Sequence, residues 1–192
     1  MNRLLLLFLA CICPIFSAYG LQNNDENLAA VPVSYPESCP KIFHHSMKQL
    51  HSSRYLNLCE VIDGRAVLLV NTASHCGFTG QLADLERIHQ TYKDDGLVVI
   101  GVASDSFNQE ADTEGDIAEV CYKNFGVTFT MLAPVSVRGD DAHELFREVA
   151  SQDRYPLWNF FKFLIDPSGT VVSSNSSFRI PTDEELSALL KL

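Results

Sequence analysis

Two unbroken apolar runs, Ala66 to Val70 and Leu97 to Val102, constrain this chain more than any other feature of it. Runs of β-branched and aliphatic residues suit strands covered on both faces of a sheet. Between them Leu82, Leu85, Ile88 and Tyr92 recur at steps of three and four. That spacing predicts one face of a helix beginning at Gln81, which Gly96 can close. Strand, helix and strand fall within about 36 residues, a βαβ unit whose parallel pairing needs such a crossover. Asn71 to Ser74 turns polar and ends the first strand, so Cys76 arrives just ahead of the helix N-terminus. Unpaired N–H groups and the helix dipole favour negative charge there, which makes a thiol a reactive thiolate.

The flanking segments extend this unit. Ile42 to Leu50 and Tyr55 to Val61 read as short strands of an N-terminal hairpin around His51 to Ser53, ending at the Asp63-Gly64 turn. Asp112 to Asn124 reads as a helix with Ile117, Val120 and Cys121 on one face, stopped by Gly126. A strand over Val127 to Leu132, a helix over Asp141 to Ala150, and strands over Phe160 to Ile165 and Thr170 to Ser173 follow. Thr182 and Glu185 have capping-box spacing, and the last helix turns Leu186, Leu189 and Leu190 inward. The predicted fold is therefore α/β and thioredoxin-like, with a mixed central sheet, flanking helices and an added N-terminal β-hairpin.

The first twenty residues differ in kind. Arg3 precedes an apolar stretch from Leu4 to Phe16, and small residues follow at Ser17, Ala18 and Gly20. That stretch is too short to span a bilayer and fits a secretory signal cleaved between Ala18 and Leu21. A lipoprotein anchor at Cys11 or Cys13 is the competing reading. Residues 21–38 read as a linker or extended tail, and 39–192 as one domain. The expected location is secreted or periplasmic.

The formal charge of −10 becomes more negative when Arg3 leaves, and no basic stripe exists, which argues against nucleic acid or stable membrane insertion. Four cysteines remain after the signal: Cys39, Cys59, Cys76 and Cys121, which permit three pairings. Cys39 and Cys59 flank the hairpin, and a bridge between them would close a loop of about twenty residues. A link to Cys76 would instead disable the nucleophile. His44, His45 and His51 lack partners at zinc spacing, so neither metal nor cofactor is expected. The CxxC pair of dithiol exchange is absent, which points to one-thiol chemistry such as peroxide reduction.

The stretch VNTASHCGFT within Gly64 to Thr79, WNFFKFLID from Trp158, and RGDDAH from Arg138 resemble the glutathione peroxidases, in the form with cysteine in place of selenocysteine. The resemblance covers roughly Asn57 to Leu190. It implies a peroxidatic Cys76, with Trp158 and Asn159 as donors that stabilise the leaving oxygen. It also places Cys121 at the resolving cysteine of members that use thioredoxin. The implied substrate is a hydroperoxide, and the implied reductant a thioredoxin-like protein or glutathione. The short stretch between Asp141 and Trp158 favours a monomer.

The chain departs from the family at its glutamine. Where members carry Cys-Asn-Gln-Phe-Gly, this sequence reads Ser104-Asp-Ser-Phe-Asn, one residue shorter before Gln109-Glu110. Ser106 then stands at the glutamine position, and Gln109 reaches the site only if the loop is rearranged. Neither belongs to the expected catalytic set. A peroxide-sensing thiol switch and a disulfide-exchange protein of thioredoxin fold are the alternative functions.

Overall fold

The computed structural model describes residues 34–191. The expected signal segment and most of the expected linker lie outside them. A single turn of 3-10 helix at Lys41–Phe43 precedes β1 (Ser46–Lys48), β2 (Tyr55–Asn57) and α1 (Leu58–Ile62). Then come β3 (Ala66–Thr72), α2 (Gln81–Tyr92), β4 (Leu97–Ala103), α3 (Glu114–Ala118) and β5 (Thr130–Leu132). The chain closes with α4 (Glu144–Gln152), β6 (Lys162–Ile165), β7 (Val171–Asn175) and α5 (Asp183–Leu189).

β1 and β2 form an antiparallel hairpin, and the other strands form one sheet in the order β5-β4-β3-β6-β7. β3 pairs parallel with β4, and β4 with β5, whereas β6 and β7 run antiparallel. This is the thioredoxin-like mixed sheet that the sequence predicts. The central strands are buried throughout, as crossovers covering both faces require.

Alternation along β3 divides the core in two. Ala66, Leu68 and Val70 face α2, α5 and the segment carrying Ile117 and Cys121. Val67 and Leu69 face α1, α4 and the N-terminal turn with Phe43. Gly101 in β4 leaves room for Met131 and Phe129, which a Cβ there would strike.

Several boundaries differ from those expected, most of them at a single capping or turn residue. The second strand of the hairpin ends at Asn57 because Asn57 caps a helix, its Oδ1 accepting the Cys59 N–H at 3.0 Å. Asp63, in the left-handed region at φ 48°, stops that helix. Asn71 and Thr72 remain in β3 despite their polarity. The helix expected over Asp112 to Asn124 begins at Glu114 and changes to π-helix at Glu119–Asn124. Its last turn bonds Phe125 N–H to Val120 O at 3.2 Å, and Gly126 follows at φ +65°. β5 is shorter than expected, and α4 starts at Glu144, where the His143 ring accepts the Leu145 N–H at 3.2 Å. The Thr182 and Glu185 capping box is formed as expected.

Cys39 and Cys59 are disulfide-bonded, with Cα atoms 5.6 Å apart. Among the described residues, Cys39, Cys59 and His44 are the one cluster of metal-ligand types. Its two sulfurs are bonded to each other, and His44 Nε2 lies 2.8 Å from the Cys39 carbonyl.

Candidate active site

Cys76 is a free thiol, 8% exposed, on the segment between β3 and α2. A run of tight turns joins it to the helix: Thr79 N–H donates to Cys76 O at 3.0 Å, and Gln81 N–H to Phe78 O at 2.8 Å. The Thr79 hydroxyl locks the same turn by donating to Cys76 O and Ala73 O at 2.7 and 2.9 Å. The thiol thus sits in a preorganised turn, and the Phe78 N–H points at Sγ from 3.5 Å. Four residues separate Cys76 from the first helical position, so this turn amide, rather than the helix end itself, is the donor nearest sulfur.

The segment carrying Trp158 and Asn159 is fixed by Asn71, at the end of β3. Its Nδ2 donates to Trp158 O at 3.1 Å, and its Oδ1 accepts the Phe161 N–H at 3.2 Å. The Asn71 carbonyl accepts the Phe160 N–H at 2.7 Å. Phe160 itself is fully buried at φ +59°, a left-handed conformation that costs a bulky residue of order 1 kcal/mol or more. These bonds hold that conformation and turn Asn159 inward, where it is fully buried. Trp158 is turned outward, 42% exposed, with its ring 5.1 Å from Phe107.

Ser106 is occupied elsewhere. Its hydroxyl meets Ser104 Oγ at 3.0 Å and accepts the Val137 N–H at 3.0 Å, which pins the loop to the irregular segment after β5. Gln109 is the residue that enters the site: its Oε1 accepts from Asn159 Nδ2 at 3.0 Å, and its backbone carbonyl accepts the His75 N–H at 2.9 Å. Asn108, left-handed at φ +55°, supplies the rearrangement that brings it there. The signal was present in the sequence as Asn-Gln-Glu, but the missing residue placed Ser106 opposite the family glutamine.

Glu110 braces the nucleophile loop. One carboxylate oxygen accepts from Ser74 N–H at 2.8 Å, Ser74 Oγ at 2.5 Å and Ala111 N–H at 3.0 Å. Cys121 lies within the π-helical segment, free and buried in the same apolar cluster as Cys76. Burial, reinforced by the Glu110 charge, pushes its thiol up to about 12. In this position it is a thiol and not a nucleophile. His75 is exposed.

A buried free cysteine lies on the first strand-to-helix connection of a thioredoxin-like sheet, and its neighbour His75 is bonded through its backbone N–H to Gln109, which in turn holds Asn159. The glutathione peroxidase family model matches residues 42–150. A glutathione peroxidase-like peroxiredoxin, GPX5, of Chlamydomonas reinhardtii is 44% identical over 62% of this chain and 78% of its own length. A glutathione peroxidase of Lactococcus lactis is 42% identical over 66% and 86% respectively. The solved structure of Trgpx in its apo form superposes with a TM-score of 0.61 at 28% identity, covering 78% of this chain and 95% of that one. A thioredoxin-family thiol:disulfide interchange protein from Chlorobium tepidum shares the fold at a TM-score of 0.57 and 14% identity, over 83% and 97%. The chain belongs to the glutathione peroxidase family.

Proposed function

We propose that this chain is a thiol peroxidase that reduces hydrogen peroxide and organic hydroperoxides, acting outside the cytoplasm after removal of its N-terminal segment. The observation that carries the reading is the free Cys76 thiol in its locked turn, with the Asn159–Gln109 amide pair tied to the preceding residue, His75, through the Gln109 carbonyl. Cys76 Sγ attacks the distal oxygen of the hydroperoxide, and an S–O bond forms as the O–O bond breaks. Cys76 becomes a sulfenic acid, and the leaving oxygen takes the proton given up by the thiol and departs as alcohol or water. The indole N–H of Trp158 and the carboxamide N–H groups of Asn159 and Gln109 are the donors for that oxygen.

Cys121 then condenses with the sulfenic acid, forming an S–S bond and releasing water. It must first leave its apolar pocket, because burial suppresses its thiolate. The π-helical Glu119–Asn124 segment supports this step, since π-helical turns are rare and cluster at functional sites. A thioredoxin-like protein then reduces the disulfide in two-electron exchange, in preference to glutathione, because a tethered thiol outcompetes a free one. The chain works as a monomer.

Peptide mass mapping without reductant, before and after one equivalent of hydrogen peroxide, tests the scheme. The expected result is a new Cys76 to Cys121 link beside a constant Cys39 to Cys59 link. Cys76 as sulfinic acid with Cys121 free would remove the resolving step, and unmodified Cys76 would overturn the peroxidase reading.

A further inference from the structure

Lys162, in β6, is fully buried, the rarest place for a lysine. Its Nζ donates to Gln81 Oε1 at 2.5 Å and to Arg179 O at 2.9 Å, and lies 3.5 Å from both Ser176 O and Ser177 O. Gln81, the first residue of α2, completes the clamp by donating from Nε2 to Ser177 O at 2.6 Å. Residues 176–179 thereby form a tight turn, closed by Arg179 N–H to Ser176 O at 3.0 Å and bound to the head of the helix that follows Cys76.

What this turn presents is Phe178. The ring is 86% exposed, the most exposed large apolar side chain among the described residues, and packs edge-to-face with Phe78, with centroids 4.9 Å apart and planes at 84°. Phe78 is the residue whose backbone N–H points at Cys76 Sγ. The aromatic pair is therefore continuous with the nucleophile turn. A buried cation and four acceptors are a costly way to hold a surface turn unless its position matters.

We propose that Phe178 is a specificity-determining residue, an apolar wall beside the Cys76 opening that favours hydroperoxides bearing an apolar substituent, and that Lys162 is the positioning residue that holds it there. The inference rests on the peroxidase reading of Cys76. Hydrogen peroxide has no apolar part to lay against the ring. An alkyl or aryl hydroperoxide has one, and gains the contact in the transition state as its O–O bond is brought to sulfur.

The experiment compares second-order rate constants for Cys76 oxidation by cumene hydroperoxide and by hydrogen peroxide in the intact protein. Phe178→Ala, an exposed position, is expected to lower the cumene-to-hydrogen-peroxide ratio roughly three- to tenfold. Lys162→Met is expected to lower it likewise, with the double variant no lower than Phe178→Ala alone, a non-additivity that general destabilisation would not produce. Should Lys162→Met fail to fold, Gln81→Ala removes the second arm of the clamp and carries the same expectation. A ratio within twofold of wild type in Phe178→Ala overturns the specificity role. Full additivity of the clamp variant with Phe178→Ala overturns the positioning role. Failure of both peroxides to oxidise wild-type Cys76 would instead refute the peroxidase reading, so the two failures are distinct.

Discussion

Asn159 Nδ2 donates to Gln109 Oε1 at 3.0 Å, joining carboxamides fifty residues apart in the chain. The bond uses the acceptor of Gln109 and leaves its Nε2 donors free. Gln109→Ala is expected to slow Cys76 oxidation by hydrogen peroxide roughly 100- to 1,000-fold, the scale of losing one donor to a developing oxyanion. Ser106→Ala, which alters only the bonds that pin its own loop, is expected to stay within about twofold. Stopped-flow oxidation of the reduced protein distinguishes them; equal losses would return the role to Ser106.

Asn71 holds Trp158 O and Phe161 N–H with one side chain. Asn71→Ala leaves both buried groups without that partner, at a cost of about 1–3 kcal/mol. Urea unfolding should show the loss, and the peroxide rate should fall as well, because Trp158 and Asn159 lose their anchor.

Removing the Cys39 to Cys59 bridge, as Cys39→Ser with Cys59→Ser, is expected to destabilise the fold by about 3 kcal/mol on the chain-entropy model. Because the bridge lies apart from Cys76, the peroxide rate of the folded variant should match the wild type. Denaturant midpoints and a rate measurement on the same sample check both halves.

Stability should rise between about pH 8 and pH 9. Burial lowers Lys162 from its ordinary 10.5 to about 8, opposed by the Asp84 charge. Above pH 8 the unfolded chain therefore holds a proton that the native chain has lost, and unfolding becomes less favourable as pH increases. Cys121 acts oppositely: raised from 9.0 to about 12, it keeps its proton in the native state while the unfolded thiol ionises, so its contribution is lost above pH 9. Urea titrations at closely spaced pH should show the rise in wild type, and a flat profile in Lys162→Met.

The parts of the fold that depend on periodicity are legible in the sequence: the apolar runs that form β3 and β4, the face of α2, and the capping box of α5. The parts set by single side chains acting on the backbone are not. Asn57 turns a strand-like Tyr55 to Val61 into strand then helix by one cap, and no period signals that. In the site, the position of Cys76 follows from the order of strand and helix, whereas that of Gln109 depends on a left-handed Asn108 in a shortened loop. Lys162 reads as one residue of an apolar strand motif, because its acceptors come from distant turns.

The sheet also separates the cysteines. Cys39 packs with the cluster on one of its faces, and Cys76 and Cys121 with the cluster on the other. Three pairings are open to four thiols on an unfolded chain, yet once β3 is in place the wall between them insulates one couple from the other. Under the proposed mechanism a permanent crosslink and a cycling one would therefore lie on opposite faces of one sheet, within a single small domain.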